Sequence, residues 1–457
     1  MESVDASLVN AEPSHTKPKM VCMKHAAPPR TLVVNFNSPE LNQLALALAQ
    51  HQMLGAYVRP YVNKGRGWER ALAALPLAGR VYNSTFGRRR ITDPALASLT
   101  REAGVLPDLC AAAIGRVHLL PPATRHRWTN QLYMAVREAV AQTACHHAKQ
   151  VDCVVAYEGF ALPAFQAAQE QRAAVLNYPV AHHRERRRIR LEENERVPEF
   201  AITWPDFDDW PAGHEERLDE EIRLADAVLV GSTFAADSFV AQGIPRAKMW
   251  MVPYGVDLKV FTPGPTPSRT REFKVIYAGQ LTQRKGISYL LRGYRKFARR
   301  DSRLTLVGNV VGGAQPLQPY RDHFQHMTHQ TRPALAAMYR DSDVFVLPTL
   351  VEGMGLVVLE AMACGLPVIV TANGPGDLVR DGIDGFVIPE RDEDAVCDRL
   401  ERLYRQPELR VEMGRQAARR ALEFGWSAYT SKVCHALTQL TQARPGAPAG
   451  SPQFAHA

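Results

Sequence analysis

Two carboxylates and two cations are the residues of this chain whose types and spacing suit work on an anionic ligand. Glu352 and Glu360 stand in Val351-Glu-Gly-Met-Gly-Leu-Val-Val-Leu-Glu-Ala-Met-Ala-Cys-Gly-Leu-Pro-Val, directly after an apolar run ending at Leu347-Pro348. Gly353 and Gly355 let the backbone approach a ligand with no Cβ in the way. A helix starting near Leu356 then aims free N–H groups and its positive end at that ligand, which suits a diphosphate. A carboxylate only accepts hydrogen bonds, so its natural partners here are sugar hydroxyls, one sugar on each side of the phosphate cradle. The plainer use of the same residues is a capping Glu352 and a solvated helical Glu360. A second loop, Ala278-Gly-Gln-Leu-Thr-Gln-Arg-Lys-Gly-Ile, also follows a strand and opens a helix. Arg284 offers a planar fork and Lys285 a point charge. Alone they read as surface cations. On a strand-end loop of the same sheet as the Gly/Glu loop, they converge with it on one ligand.

The elements that must position these loops follow an alternating pattern. Thr31-Leu-Val-Val-Asn-Phe, Asp152-Cys-Val-Val-Ala-Tyr and Ala173-Ala-Val-Leu-Asn-Tyr read as short buried strands, and Leu224-Ala-Asp-Ala-Val-Leu-Val-Gly-Ser ends a helix and enters a fourth. Helical spacing follows at Leu41, Leu44, Ala45 and Leu48, and Ser232 or Thr233 is a natural N-cap for a helix over Phe234 to Gln242. The stretch from Gly65 to His126 is Arg- and Ala-rich and gives no clean pattern. Val252-Pro-Tyr-Gly-Val-Asp and Phe261-Thr-Pro-Gly-Pro-Thr-Pro-Ser form a Pro-rich break. The alternation then restarts, with strands at Phe273-Lys-Val-Ile-Tyr-Ala-Gly, Leu304-Thr-Leu-Val-Gly, Val344-Phe-Val-Leu-Pro and Pro367-Val-Ile-Val-Thr. Short apolar strands alternating with helices predict parallel sheets covered on both faces. The expected architecture is therefore α/β, with two doubly wound Rossmann-like domains facing across a cleft. Ligands of such sheets bind beyond the carboxyl ends of the strands.

The composition agrees. A chain of 457 residues, 46% hydrophobic and 22% charged, is sized for two cores. That excludes a disordered chain, a coiled coil and a disulfide scaffold. The net charge of +8 fits phosphate-bearing ligands and does not indicate nucleic acid. Seven Cys without CxxC spacing suggest neither a disulfide framework nor a zinc site. The first 30 residues carry no apolar signal core, and no run is long enough to span a membrane. A cytoplasmic protein is expected. Two Asp-x-Asp strings could in principle carry a divalent cation. Asp341-Ser-Asp343 enters a strand at the wrong end for the cleft, and Asp206-Phe-Asp208 lies in a Trp- and Pro-containing loop, so no metal is expected. His182 and His183 follow a strand and the turn at Pro179, which places them at the carboxyl end of the first sheet. The basic run Arg184-Glu-Arg-Arg-Arg-Ile-Arg after them suits an anionic acceptor, a peripheral contact with an anionic membrane, or a solvated helix face paired with Glu192, Glu193 and Glu195.

The Glu-x7-Glu segment closely resembles the signature of the GT4 family of retaining glycosyltransferases (glycosyltransferase group 1), which have the GT-B fold. Gly279-Gln-Leu…Arg284-Lys-Gly, Val252-Pro-Tyr-Gly-Val-Asp, Asp226-Ala-Val-Leu-Val-Gly-Ser and Asn373-Gly-Pro-Gly-Asp…Asp384-Gly-Phe-Val-Ile resemble further family segments in the expected order. The resemblance is good over roughly Leu218 to Trp426. It implies a donor site made by Gly279, Arg284, Lys285, Glu352, Gly353, Met354, Gly355, Leu356, Val357 and Glu360. By it, Arg284 and Lys285 hold the diphosphate and Glu360 the ribose hydroxyls. Glu352 and the N–H groups of Met354 to Val357 hold the donor sugar and phosphate. A family His near His182 or His183 approaches the donor sugar; His182 is counted with Arg284, Lys285 and Glu352 as catalytic. The first junction, Asn35-Phe-Asn-Ser-Pro-Glu, lacks the family's Gly-Gly loop, and Asp377 stands where the family often has Glu.

The implied layout is a disordered segment at 1–29 and an N-terminal acceptor domain at 30–252. A hinge follows at 253–268 and a nucleotide-sugar domain at 269–425. A helix at 426–441 then returns to the N-terminal domain, before a disordered tail at 442–457. The implied function is metal-independent transfer of a sugar from a nucleoside-diphosphate sugar to a hydroxyl acceptor on a glycan, lipid-linked or small molecule, with no cofactor. The alternatives are a non-catalytic nucleotide-sugar-binding GT-B protein, or a GT-B nucleotide-sugar epimerase or phosphorylase.

Overall fold

The computed structural model describes residues 28–443 apart from 77–78, 80–81, 84–85, 87–88, 116–121, 169–170, 205–212, 265–271 and 298. The expected disordered ends, part of the hinge and the Asp206-Phe-Asp208 string lie wholly or largely outside the described residues.

Two all-parallel sheets form. The first runs β3(Thr100–Glu102), β2(Leu54–Arg59), β1(Thr31–Val34), β4(Cys153–Tyr157), β5(Ala173–Asn177), β6(Ala227–Val230), β7(Met249–Met251). The second runs β10(Phe324–Met327), β9(Ser302–Val307), β8(Phe273–Ala278), β11(Val344–Leu347), β12(Val368–Thr371), β13(Gly385–Ile388). Strands β1, β4, β6, β11 and β12 are apolar throughout or nearly so because helices cover both faces. Each sheet reverses its winding once, between β1 and β4 in the first and between β8 and β11 in the second. At such a point the neighbouring connections leave to opposite faces, and a crevice opens beyond the strand ends. The loops leaving β8 and β11 are the ones that carry Arg284, Lys285 and Glu352.

The expected helix after β6 forms as Thr233–Val240, with Ser232 as its N-cap, its hydroxyl accepting from the Ala235 N–H at 3.2 Å. Strands β2, β3, β7, β10 and β13 add to those read from the sequence. The last helix, Trp426–Gln442, buries Tyr429, Val433, Ala436, Leu437 and Leu440, and packs against Pro39–Gln50 of the first sheet's layer. Among the described residues no helix is long and apolar enough to cross a membrane.

Candidate functional site

The loop after β8 turns twice. Thr282 caps the short turn Gln283–Lys285 through its hydroxyl, which accepts from the Arg284 N–H at 3.2 Å. Gly286 then takes φ +70°, and a Cβ there would stand 1.8 Å from the Pro348 carbonyl oxygen, so only glycine fits. The two strand-end loops are thereby laid on one another. The Leu350 N–H (2.9 Å) and the Thr349 hydroxyl (3.1 Å) both donate to the Arg284 carbonyl. In return Arg284 Nη1 donates to the Val351 carbonyl at 2.8 Å.

This stitching brings the predicted charges together. Lys285 Nζ donates to Glu352 Oε2 at 2.6 Å, and Arg284 Nη1 lies 3.3 Å from the same oxygen. Burial alone would raise the Glu352 carboxyl, but Arg284 and Lys285 together outweigh it and hold it down at about 2. Burial lowers the Lys285 ammonium despite the carboxylate beside it. Its stem lies over Gly279, whose φ of +143° and missing Cβ leave the room. Glu352 is thus the internal counter-ion of both cations. Its backbone is fixed by its N–H donating to the Asn373 carbonyl at 3.1 Å, while Gly374 packs on its own carbonyl.

Beyond Glu352 the chain makes a glycine turn into the helix Leu356–Ala363. Gly355 is its N-cap at φ +77°. The first-turn N–H groups, those of Leu356 and Val357 among them, have no partner inside the helix and point back along its axis. Met354 turns away from the charges: its Sδ accepts the Tyr254 N–H at 2.9 Å, tying the turn to the inter-sheet connection. Gly353 meets the first half of the chain, where a Cβ would lie 1.7 Å from the Pro179 carbonyl oxygen. The loop from Pro179 to His182 therefore abuts the Glu352 turn.

Glu360 sits in the second turn of this helix, away from the cation pair. Burial raises its carboxyl to about 7, partly opposed by Arg332 and reinforced by Asp257, which pair with each other at 3.2 Å. The structure thus joins Arg284, Lys285, Glu352 and the glycine turn in one constellation and puts Glu360 further along the same helix, beside a different cation.

Of the two histidines, His182 is the N-cap of His183–Arg196. Its Nδ1 accepts from the Arg184 N–H at 3.2 Å, and its own N–H donates to the Ser238 hydroxyl at 2.8 Å. Burial, then Arg184 and Arg186, lowers it to about 4, so it is neutral at ordinary pH. His183 lies between the Tyr178 hydroxyl (3.1 Å) and Asp219 (3.3 Å), and burial lowers it to about 2. His182, His183 and Asp219 bring ligand-type atoms within 4.8 Å of one another. Arg184 already holds Asp219, and the imidazoles stack at 4.2 Å. The basic run is matched by acids: Arg184 by Asp219, Arg186 by Glu158, Arg187 by Glu215, and Arg188 by Glu185 and Glu192. Of the acids expected to pair with it Glu192 does, whereas Asp219, Glu158, Glu215 and Glu185 were not among those expected. Asp341 and Asp343 engage Lys274 at the amino end of β8, opposite the loops, as a cap and turn should.

Sequence reasoning missed the contacts that cross between the two sheets. Asp377 accepts the Thr233 N–H at 2.5 Å. Glu193, read as one acid of a solvated face, is fully buried among residues of the second half. Nothing in its spacing separates it from Glu192.

Residues 272–406 match the family model described as Glycosyl transferases group 1. A D-inositol 3-phosphate glycosyltransferase of Paenarthrobacter aurescens (strain TC1) is 34% identical over 233 residues, which is 46% of this chain and 57% of the relative. One of the same name from Frankia alni is 36% identical over 38% of this chain and 49% of its own. The chain thus spans about half the length of these curated relatives. The solved sucrose-phosphate synthase of Thermosynechococcus elongatus aligns over 91% of this chain and all of its own, with a TM-score of 0.63 at 20% identity. Anabaena HepE in complex with UDP and glucose aligns over 90% of this chain and 99% of its own, with a TM-score of 0.59 at 13% identity. Residues 272–406 are accordingly a glycosyl transferases group 1 domain, carried in a chain with the GT-B fold of the glycosyltransferases.

Proposed function

We propose that the protein is a retaining glycosyltransferase that moves a sugar from a nucleoside-diphosphate sugar to a hydroxyl acceptor without a metal. The observation that carries this reading is the Arg284–Lys285–Glu352 cluster at the winding reversal of the second sheet, directly before the helix at Leu356. The diphosphate takes over the cations from Glu352 and adds the first-turn N–H groups of that helix. Glu352, released from Lys285, then accepts hydroxyls of the donor sugar. Cleavage breaks the bond between the anomeric carbon and the phosphate oxygen. The departing charge falls on Arg284 and Lys285, and the sugar passes through an oxocarbenium-like state. The acceptor oxygen bonds to the anomeric carbon from the face the phosphate leaves, and its proton passes to that phosphate oxygen. His182, neutral, follows the Pro179–Val180 stretch that packs on Gly353, and the family resemblance assigns it to the sugar side.

The names of the relatives make a cyclitol phosphate the first acceptor to try, and the Anabaena complex makes UDP-glucose the first donor. A thermal-shift panel of nucleotide sugars tests the donor half, since a ligand of the native state raises the melting temperature. Transfer assays with and without EDTA test the rest. A panel with no shift from any nucleotide sugar sinks the reading.

Glu360 gives a pH prediction. Ribose hydroxyls need its carboxylate form, and the free carboxyl is half protonated near 7. Nucleotide-sugar affinity should therefore fall by up to about tenfold per unit as pH drops below 7. Glu360→Gln should bind more weakly and show a flat profile over that range, measured by calorimetry at several pH values. For stability the sign is opposite. A carboxyl raised in the folded state favours folding below its unfolded value, and that contribution is lost as pH rises through about 7. Glu360→Gln should therefore raise the melting temperature most above pH 7.

A further inference from the structure

Glu193 belongs to a helix of paired, largely solvated charges, yet its side chain is fully buried. One oxygen accepts from Gln283 Nε2 and from the Tyr289 hydroxyl, each at 2.7 Å. The other accepts from Arg391 Nε at 2.9 Å. All three donors belong to the half of the chain built on the second sheet, and Gln283 immediately precedes Arg284 and Lys285. The same loop is gripped a second time from the first half, because the Gln283 N–H donates to the Thr203 hydroxyl at 2.9 Å. Within its own half the Gln283 amide reaches Ser288, at 2.6 Å from Nε2 to the hydroxyl. Arg391 supplies an independent sign of constraint. It takes φ +60°, a left-handed conformation unfavourable for a non-glycine residue, and delivers its guanidinium to Glu193.

A buried carboxylate is tolerated only with its hydrogen bonds complete, and removing its partners is strongly unfavourable. Here those partners all lie across the contact between the halves. The helix that ends near Glu193 begins at His182, whose loop touches the glycine turn at Gly353. One rigid element therefore reaches the Glu352 turn at one end and the cation loop at the other.

We infer that Glu193 is a positioning residue: it fastens the Arg284–Lys285 loop to the opposite half, so that the anion-gripping loop is held at its best geometry while the two halves are shut. This rests on the donor-site reading above for its catalytic meaning, but not for its mechanics. The test uses the full chain with Glu193→Gln, Glu193→Ala and Arg391→Gly, the last because glycine keeps the left-handed backbone and loses only the guanidinium. Small-angle X-ray scattering is recorded without ligand. Calorimetry with UDP, or GDP if the thermal-shift panel favours it, and the split of kcat from KM follow. Wild type should scatter as the compact form. Glu193→Ala and Arg391→Gly should scatter as an expanded form and bind the nucleotide about tenfold more weakly, within the usual range of coupling between sites. Glu193→Gln, which still accepts from Gln283 and Tyr289, should fall between. A merely structural ion pair would lower the melting temperature and leave scattering and affinity alone, and that result overturns the inference. If Glu193→Ala does not fold, Glu193→Gln and Arg391→Gly decide. If wild type binds no nucleotide, the donor-site reading fails while the scattering arm still judges the latch.

Discussion

Lys285→Ala should lower kcat by about 10²–10³-fold, with a smaller loss of nucleotide-sugar affinity, because a donor aimed at departing charge is worth that much in a water-poor site. The chain should still fold. Glu352 keeps Arg284 at 3.3 Å, so no buried carboxylate is left without a cation. Lys285→Arg should not rescue the rate, since the slot over Gly279 accepts a slim stem and a point charge and not a planar fork. Initial-rate kinetics with saturating donor measure the effect. A variant turning over at the wild-type rate would remove Lys285 from the chemistry.

Gly353→Ala should abolish transfer, by about 100-fold or more, while leaving the melting temperature close to that of wild type. The obstructing atom is the Pro179 carbonyl oxygen, 1.7 Å from the position of the added Cβ, and it belongs to the other half of the chain. What the methyl group forbids is the apposition of the two halves at the glycine turn. Gly355→Ala is the control. There the nearest atoms to an added Cβ are 3.5 Å away, so the cost is only that of a left-handed backbone, roughly 1–2 kcal/mol. It should lower the melting temperature and spare more of the activity. Equal rates for the two variants would mean that the Pro179 contact plays no part in turnover.

The fold was legible wherever strands are buried on both faces, because Val344–Leu347 and Val368–Thr371 can hardly be anything else in a chain of this composition. Edge strands were harder. Thr100–Glu102 and Phe324–Met327 carry charged or polar residues with no apolar run to mark them. At the site, the meeting of Arg284, Lys285, Glu352 and the glycines was legible because both loops leave carboxyl ends of strands in one sheet. The direction of the Glu352 side chain was not, since nothing local says that this carboxylate turns onto the neighbouring loop. Glu193, Arg391 and Asp377 were invisible for a related reason. Their partners are about 90 to 200 residues away in the chain, and no periodicity reports a contact between two separately wound sheets.

The return of Trp426–Gln442 to the layer of the first sheet has a practical consequence. The polypeptide crosses between its two lobes twice, so a cut in the Pro-rich connection does not release two self-sufficient fragments. An amino-terminal piece would show bare apolar surface where Pro39–Gln50 meets the last helix, and the remaining piece would carry that helix without its seat. Co-expressed, the two pieces should reassociate through this strap, which makes the protein a natural candidate for split-reporter complementation and a poor one for domain-by-domain dissection.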